Sequence, residues 1–507
     1  MQPDTLTSLI QTACHQFATE KAIQFYRKGE LETVLTYEQL NQDTNQMAHY
    51  FSSMSVKKGD RVILFMDKSV IFIVAHLALQ KIGAISVPLN PGFKSSEISY
   101  FIDDATPVLI LAGTEQSRLV QQINSKIPLV KTDAYTPYAQ LNFFRSNIID
   151  DPAFEIQPCD PALIIYTSGT TGKPKGAVLT QDNLLQDIKN IQEIWSITAD
   201  DVLCHALPLF HVHGLCFAFH TCMTSGARIL MLDTFNVQAV VKILSNNSDP
   251  EICSVFMAVP AMYSLLINHI GVGSIDFSHL RLITSGSAPL LVKDFKRITD
   301  IWGQEPVERE GMSETGMNFS NPVKGIKKPG AIGLPLPQLQ VRVVNPENFV
   351  DVESGQTGEF WLKSPAITPG YWQKPEETKK TFVDGWFKTG DLGYMDEDGY
   401  YFLTDRIKNI IISGGENISP KEIESVIDQL EAIAESAVIG IKDDQWGEKV
   451  VAAIALKHES SITEQAVLDH CKIHLHSWKC PKQIVFVNAL PKNTMGKVLT
   501  EEVRLLF

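Results

Sequence analysis

Short apolar runs alternate with amphipathic segments along most of the chain. Residues 161–165 (PALII) and 177–179 (AVL) have the composition of buried strands. A helical repeat follows them, with apolar residues at Leu184, Ile188, Ile191 and Trp195. Residues 69–90 are the most apolar, but polar side chains interrupt them, which predicts a buried helix and then a strand rather than a membrane span. This order of elements is typical of an α/β protein.

The predicted elements become shorter near the C-terminus. Ser419 has the properties of a helix N-cap, Pro420 suits the first helical position, and Glu422 would complete a capping box. Two candidate strands follow, at residues 436–441 and 449–456. A further helix and a last strand, at residues 483–487, come after them. The pattern indicates a compact α+β unit of about a hundred residues.

We therefore predict two domains. The first is a large N-terminal α/β domain of several subdomains, residues 1–404, and the second is a small, mobile C-terminal α+β domain, residues 405–507. A chain of 507 residues is too long for one ordinary core, which agrees with this division.

Composition narrows the class of protein. Lys and Arg number 44 against 58 Asp and Glu, so the net charge is −14, which disfavours binding to nucleic acid or to an anionic membrane. The N-terminus lacks the basic and apolar regions of a secretory signal. The 8 cysteines form no CxxC pair and indicate reduced thiols in a cytoplasmic enzyme.

Residues 166–176, YTSGTTGKPKG, concentrate glycine, hydroxyl and lysine side chains in one loop. Glycine lets a backbone approach phosphate, hydroxyl and N–H groups donate hydrogen bonds, and lysine neutralises charge. The Gly-Lys spacing of P-loop nucleotidases is missing, so a polyphosphate loop of another type is indicated. A surface turn rich in turn-forming residues is the alternative.

Three more stretches carry candidate chemistry, although each is weak alone. Asp391 in TGD could accept hydrogen bonds from both hydroxyls of a ribose. Glu314 in GMSETG could bind Mg²⁺ through oxygen. Lys497 follows a glycine in PKNTMGK, where it could equally be an exposed surface lysine.

Taken together and in this order, these motifs resemble those of the adenylate-forming superfamily, which includes acyl-CoA synthetases, luciferases and peptide-synthetase adenylation domains. The resemblance covers nearly the whole chain. It also includes LPLFHVHG at 207–214, SGSAPL at 285–290, GEFWLKSPAITPGYW at 358–372, and DRIKNIIISGGENISPKEIE at 405–424.

The resemblance implies two half-reactions that use ATP, Mg²⁺ and coenzyme A. A carboxylate attacks the α-phosphate of ATP and forms an acyl adenylate, and a thiol then displaces AMP. The loop would hold the departing pyrophosphate, through Thr167, Ser168, Gly169, Thr170, Thr171, Gly172 and Lys175. Glu314 and Thr170 would bind Mg²⁺. Catalysis must offset the repulsion between the attacking carboxylate and the phosphate, which are both anions.

The same resemblance assigns further nucleotide and coenzyme residues. Asp391 and Arg406 would bind ribose, and Lys497 would bridge the carboxylate and the α-phosphate. The adenine side of the site would include Ser287, Ala288, Pro289, Glu310 and Ser313. Lys408 matches the hinge about which the small domain rotates between the half-reactions, and Gly414 and Gly415 match the loop beside the pantetheine tunnel.

His211 matches a residue beside the carboxylate and the thiol path, where it could orient the acid. A metal site built on the pair His211 and His213 is the alternative, but no third ligand is indicated. His213 fits better as a core or hydrogen-bonded histidine. Residues 254–266, with Met257, are expected to line the acyl pocket beside Gly286.

The stretch from Glu308 to residue 325 most resembles malonyl-CoA synthetases. A second carboxylate in the substrate would need a fixed cation, and Arg309 matches that role. An ion pair between Arg309 and Glu308 or Glu310 is the alternative. Glu310 also departs from the family, in which an aromatic residue that stacks on adenine is usual at this position. Glu310 could instead accept a hydrogen bond from adenine, or it could bind Arg309.

These residues leave several functions open. The first is an acyl-CoA synthetase for a small dicarboxylic acid, with a fatty or other monocarboxylic acid as the alternative substrate. The second is an adenylating enzyme that loads a separate carrier protein, since no carrier domain is expected after Phe507. The third is a nucleotide-binding protein that has lost catalysis, which Glu310 alone supports.

Overall fold

The computed structural model describes residues 4–123, 126–167, 173–245, 252–271, 275–413, 416–443, 446–493 and 496–507. Its contacts divide the chain into two compact units. The first unit contains Met1–Gln340 and Lys363–Gly385, and the second contains Val341–Leu362 and Trp386–Phe507.

A long, mostly parallel sheet carries one half of the first unit. Its described strands, in spatial order, are Leu334–Pro335, Gly316–Ser320, Val307–Met312, Leu282–Ser285, Val255–Ala258, Val202–His205, Arg228–Leu232, Lys21–Arg27 and Glu30–Thr36. Neighbours from Val307–Met312 to Lys21–Arg27 run parallel. Because parallel strands end at one edge of a sheet, the residues that follow Ser285 and His205 share that edge.

A second sheet carries the other half of the first unit. Its described strands, in spatial order, are Gly370–Tyr371, Lys175–Thr180, Pro161–Thr167, Ile85–Pro88, Arg61–Phe65, Leu109–Ala112 and Leu129–Lys131. The glycine-rich loop lies between the antiparallel strands Pro161–Thr167 and Lys175–Thr180, so a strand rather than a helix follows it. The helix Val70–Lys81 is buried along its whole length and precedes the strand Ile85–Pro88, as predicted.

Helices of the first unit connect the strands of the two sheets. They are Leu6–Gln16, Tyr37–Ser53, Val70–Lys81, Ser95–Ala105, Thr114–Ile123, Gln181–Trp195, Thr221–Ser225, Val237–Leu244, Pro260–His269, Val292–Trp302 and Pro375–Thr381, with a π-helix at His213–His220 and a 3₁₀ turn at Tyr138–Gln140. Thr180 caps Gln181–Trp195 by accepting a hydrogen bond from the Asn183 amide. The predicted helical repeat is confirmed there, since all four of its apolar residues are buried.

The second unit is built from two smaller sheets. The first contains Gln340–Val344, Gly358–Lys363, Trp386–Met395 and Tyr401–Arg406. The other contains Glu416–Ile418, Ile411–Ser413, Gly447–Leu456, Ile433–Asp443 and Gln483–Val487, and its helices are Pro420–Ile427, Glu464–His474 and Thr500–Arg504. The predicted α+β pattern of the C-terminal residues is confirmed, with apolar side chains of the sheet packed against the first two helices.

The cap of the helix Pro420–Ile427 forms only in part. Ser419 accepts a hydrogen bond from the Glu422 amide, and Pro420 occupies the first helical position, as predicted. The prediction that Glu422 completes the capping box is wrong, because its carboxylate binds Lys479 instead, with Nζ 2.6 Å from Oε1. The Ser419 hydroxyl also donates to Asp405, at 2.6 Å.

The boundary near Asp405 stays a prediction. Contacts group Val341–Leu362 and residues 386–404 with the C-terminal residues, since these segments share a sheet with Tyr401–Arg406.

All eight cysteines are free thiols, and Cys159 is the exposed one among them. Within the described ranges, no helix combines the length and the apolar character needed to cross a lipid bilayer.

Candidate active site

Glu314 lies in the turn between the strands Val307–Met312 and Gly316–Ser320, and its side chain is buried. Its Oε1 accepts hydrogen bonds from the hydroxyls of Thr167 and Tyr371, each at 3.1 Å. Its backbone carbonyl accepts from the Thr368 amide at 2.7 Å. Among the described residues both side-chain hydrogen bonds reach Oε1, so the second carboxylate oxygen is available to a cation. A single carboxylate combined with substrate phosphates is the usual protein contribution to a Mg²⁺ site, so Glu314 fits the metal that the sequence predicts.

Thr167 and Lys175 flank the glycine-rich loop at the ends of its two strands. The Lys175 ammonium is buried, forms an ion pair with Glu377 and lies 5.4 Å from the centre of the Tyr371 ring. The hydrogen bond from Lys175 holds the pKa of Glu377 below its usual value. A phosphate that binds Lys175 must therefore compete with the Glu377 carboxylate.

Part of the predicted phosphate and coenzyme machinery lies outside the described residues. These positions are Ser168, Gly169, Thr170, Thr171 and Gly172 in the glycine-rich loop, and Gly414 and Gly415 in the second unit. Their proposed roles stay predictions.

Arg309 is a buried cation that donates no hydrogen bond to the part of the chain that the structure describes. Its side chain in the strand Val307–Met312 is 3% exposed, and Nε, Nη1 and Nη2 have no hydrogen-bond partner among the described residues. The guanidinium lies 5.2 Å from the centre of the Phe217 ring. Burial lowers the pKa of Arg309 to about 10, against the opposing effect of Glu310 and Asp187, so the group stays charged at neutral pH. Buried charges are normally paired, which makes this guanidinium a site for an anionic group.

The structural ion pair considered for Arg309 is absent among the described residues. The Glu308 carboxylate accepts a hydrogen bond from the Gly330 amide at 2.8 Å, and burial raises its pKa to about 8. Glu310 accepts from the Asn318 side-chain amide at 3.0 Å. The hypothesis that Glu310 forms a direct hydrogen bond with Arg309 is therefore wrong. The two residues are neighbours in one strand, and successive strand residues point to opposite faces.

The loop Leu207–Gly214 brings histidines to this edge of the sheet. The His213 ring lies 3.1 Å from the Ser287 hydroxyl, measured from Nδ1, which confirms a hydrogen-bonded core histidine. His211 packs against Phe210, and its buried Nε2 has no partner among the described residues. Burial lowers the pKa of His211 to about 4, so the ring is neutral and can donate or accept one hydrogen bond.

The strands Val255–Ala258 and Leu282–Ser285 supply the remaining substrate and adenine positions. Met257 is fully buried and pairs with Thr284 across the sheet, and its role in the acyl pocket stays a prediction. Ser287 and Pro289 are exposed after the strand end, and Ala288 is half-buried between them. Ser313 is half-buried in the turn beside Glu314.

Gly286 fixes how closely Arg309 approaches this strand end. A Cβ at Gly286 would lie 2.6 Å from the Arg309 Nε and 2.7 Å from its backbone carbonyl oxygen. We expect Gly286→Ala to displace Arg309 and to raise KM for a substrate bound by the guanidinium, by about tenfold for a loss of about 1.4 kcal/mol. Steady-state kinetics, with circular dichroism to verify folding, checks this, and an unchanged KM would refute the contact.

Asp391 and Arg406 form a site of their own in the second unit. They face each other on neighbouring antiparallel strands, with Nε 2.6 Å from Oδ1 and Nη2 3.3 Å from Oδ2. This bidentate pair fixes a buried carboxylate that can accept hydrogen bonds from a diol. Lys408 is exposed in the 3₁₀ turn Ile407–Asn409 that follows Arg406.

Lys497 is exposed at the end of a tight turn in the second unit. Its amide donates to the Asn493 side chain at 2.9 Å, and the Asn493 amide donates to the Lys497 carbonyl at 2.9 Å. Lys492 and Val498 form an isolated bridge across the same turn. The backbone around Lys497 is therefore held in place by these hydrogen bonds.

Sequence reasoning missed Tyr371 and Glu377 as contributors to this site. Tyr371 lies on a short strand that pairs with Lys175–Thr180, and Glu377 lies on the helix Pro375–Thr381. Tyr371 belongs to a motif that the family resemblance covers, but its distance in sequence from Thr167 concealed the contact. Burial, together with the neighbouring Glu314 charge, raises the pKa of Tyr371, so its hydroxyl remains a donor.

Comparisons with known proteins match this chain over nearly its full length. The AMP-binding enzyme family model matches residues 10–372, and the model of the AMP-binding enzyme C-terminal domain matches residues 422–497. An oxalate–CoA ligase of Arabidopsis thaliana is 30% identical over 98% of both chains. A mitochondrial malonate–CoA ligase of Bos taurus is 33% identical, over 87% of this chain and 80% of its own. Long-chain fatty-acid–CoA ligases are also similar to this chain.

A solved structure supports the same assignment. ATP-bound MatB from Rhodopseudomonas palustris superposes with a TM-score of 0.92 at 33% identity, over 99% of each chain. The predicted α/β class and the adenylate-forming resemblance are confirmed by these matches. The chain therefore belongs to the AMP-binding enzyme family, and it is an ATP-dependent, AMP-forming acyl-CoA synthetase that uses ATP, Mg²⁺ and coenzyme A.

Proposed function

We propose that this enzyme converts a small dicarboxylic acid, malonate, into malonyl-CoA. The observation that carries the proposal is the buried Arg309 guanidinium, which has no hydrogen-bond partner among the described residues. Removing a cation from water costs several kcal/mol unless an anion compensates it. A substrate with a second carboxylate supplies that anion, whereas an acid without one leaves the buried charge of Arg309 uncompensated.

The relatives support the same class of acid. Malonate–CoA ligases and an oxalate–CoA ligase, whose named acids carry two carboxylates, are similar to this chain over most of its length. Fatty-acid ligases are similar too, so the identity values alone do not select the acid. We base the choice of acid on Arg309, because the carboxylates of Asp187 and Glu310 act on its charge but accept no hydrogen bond from it among the described residues.

In the first half-reaction, a carboxylate oxygen of the acid forms a bond to the α-phosphorus of ATP, and the bond from that phosphorus to pyrophosphate breaks. His211, neutral and half-buried, would donate one hydrogen bond that orients the attacking carboxylate. Arg309 would hold the other carboxylate away from the phosphate. Placing both reactants in this way replaces an encounter between two anions with a fixed geometry.

Phosphate handling belongs to Glu314, Thr167 and Lys175. Glu314, oriented by Thr167 and Tyr371, would hold Mg²⁺, which withdraws negative charge from the phosphates when bound. Lys175 would exchange Glu377 for the departing pyrophosphate. The hydroxyls and amides of residues 168–172 would add hydrogen bonds to the same group.

The second unit would supply ribose binding and the mobile catalytic lysine. Asp391, fixed by Arg406, would accept hydrogen bonds from the ribose hydroxyls. Lys497 would stabilise charge between the carboxylate and the α-phosphate. Rotation about Lys408 would then exchange Lys497 for the coenzyme loop at Gly414 and Gly415. The coenzyme thiol would lose its proton to solvent, and its sulfur would bond to the acyl carbon. The bond from that carbon to the bridging oxygen of the mixed anhydride would break, and AMP would leave with that oxygen.

The acceptor and the location belong to the proposal as well. We propose free coenzyme A rather than a carrier protein as the acceptor, because the relatives named above are CoA ligases. We propose a cytoplasmic location on the basis of the eight free thiols, which persist in a reducing compartment.

An acid panel tests the proposal directly. Pyrophosphate release and thioester formation are measured with MgATP, with and without coenzyme A, for acetate, propionate, oxalate, malonate, methylmalonate, succinate, octanoate and benzoate. Malonate or methylmalonate should give the highest kcat/KM, with the thioester appearing only with coenzyme A. Pyrophosphate without a thioester would favour a carrier acceptor, a monocarboxylate preference would refute the assignment of Arg309, and silence on every acid would favour a non-catalytic protein.

A further inference from the structure

Lys68 lies between the two sheets of the first unit and binds the loop that carries His211. It follows the strand Arg61–Phe65 of one sheet and contacts residues that end the strand Val202–His205 of the other. Its Nζ lies 2.8 Å from the His205 Nδ1, 2.9 Å from the His205 carbonyl oxygen and 2.9 Å from the Leu207 carbonyl oxygen. Three contacts of hydrogen-bond length fully occupy one ammonium group.

His205 extends this network to the other end of the loop. Its Nε2 lies 2.8 Å from the Gly214 carbonyl oxygen. The closure also needs glycine at position 214, since a Cβ there would lie 2.0 Å from the Pro208 carbonyl oxygen. Residues 205–214 therefore form a loop that is closed at both ends, with His211 and His213 inside it.

The contacts fix how many hydrogens this pair carries. The three carbonyl oxygens, of His205, Leu207 and Gly214, can only accept, so each requires one N–H. The contact between Lys68 Nζ and His205 Nδ1 requires one more. An ammonium with a neutral imidazole supplies these four hydrogens, and so does a neutral amine with an imidazolium. A neutral amine beside a neutral imidazole supplies only three.

Burial works against this charge on both groups. It lowers the pKa of Lys68 well below that of an exposed lysine. It also lowers the pKa of His205, and the charge of Lys68 lowers that pKa further. The carbonyl dipoles around the pair compensate, because a buried carbonyl without a donor is itself costly. A cation held by carbonyl oxygens therefore lies at the base of the loop.

We propose that Lys68 and His205 share one proton beyond the neutral pair and use it to hold residues 205–214 in the shape that presents His211 to the acid. Lys68 is thus a positioning residue for acid activation that acts through His205. The inference rests on the proposed role of His211, but it does not depend on which acid the enzyme prefers.

Lys81 provides a matched control at the other end of the helix Val70–Lys81. Its buried ammonium also contacts three oxygens, on Asn41 at 2.6 Å, Asn45 at 2.5 Å and Asp151 at 2.6 Å. None of these residues belongs to the loop 205–214. Lys68→Met and Lys81→Met therefore each remove an ammonium with three polar contacts, and only the first removes a contact to residues 205–214.

Kinetics of the two variants, with the best acid of the panel, separate positioning from simple destabilisation. Lys68→Met should lower kcat/KM for the acid by about 10- to 100-fold and leave KM for ATP unchanged, whereas Lys81→Met should change neither. In a His211→Ala background, Lys68→Met should have little further effect, because both substitutions remove the same interaction. Equal effects of the two lysine variants, or additive effects with His211→Ala, would overturn the proposal.

A spectroscopic test on the unmodified enzyme remains decisive even if Lys68→Met fails to fold. Nitrogen-15 spectra of the Lys68 amine and the His205 ring, at neutral pH, report their protonation directly. We expect either an ammonium with a neutral His205 protonated on Nε2, or a neutral amine with an imidazolium. A neutral amine beside a neutral imidazole would overturn the proposal, whatever the acid panel gives.

Discussion

Replacement of Arg309 by alanine is expected to abolish most activity toward malonate and to spare a monocarboxylate of similar size. Removing one partner of a buried charge pair costs about 2–5 kcal/mol, or roughly 30- to 4000-fold in kcat/KM. Propionate makes no such pair, so its kcat/KM should change little. Steady-state thioester formation with both acids, in the wild type and in the variant, measures the difference.

Arg309→Met serves as the control for packing. Methionine fills much of the space and removes the buried charge, so the ligand-free protein should be as stable as the wild type or more stable. Malonate turnover should nevertheless fall as it does in Arg309→Ala. Equal loss of activity toward malonate and propionate would identify Arg309 as a structural residue and would contradict the proposed substrate.

Replacement of Lys497 by alanine is expected to separate the two half-reactions. Loss of a group that stabilises charge in the transition state costs about 10²- to 10³-fold in rate. Malonate-dependent pyrophosphate release should fall by that factor. Thioester formation from supplied malonyl adenylate and coenzyme A should remain largely intact, because Lys497 is assigned to adenylation alone.

Lys492→Ala is the matched control for this experiment. Lys492 pairs with Val498 beside Lys497, carries the same charge and forms an ion pair with Glu435. It should leave both half-reactions near their wild-type rates. If Lys497→Ala slows both half-reactions equally, the assignment of Lys497 is wrong.

The sequence predicts local structure well where hydrophobic period and capping chemistry agree. The helix Gln181–Trp195 and the strands on either side of the glycine-rich loop were predicted from short windows, because their burial follows directly from spacing. Ser419 was predicted as an N-cap for the same reason. Glu422 was predicted to complete the capping box, and that prediction is wrong, because Lys479 binds its carboxylate from another part of the chain.

Partnership between distant side chains is what the sequence leaves open. Whether Arg309 binds Glu308 or Glu310 depends on which strand face each side chain occupies, and in the structure Glu308 binds Gly330 and Glu310 binds Asn318 instead. The contact of Tyr371 with Glu314 and that of Lys68 with His205 join separate strands and loops. No periodicity within one window encodes such contacts.

The most direct test of malonate as the substrate is the ratio of kcat/KM for malonate to that for propionate, measured as CoA-thioester formation by the wild-type enzyme with saturating MgATP. A site that holds a charged group through a buried partner rejects the analogue that lacks it, so the ratio should exceed about 10². A ratio at or below one would contradict the assignment of Arg309 to a second carboxylate and leave only the acyl-CoA synthetase reaction established.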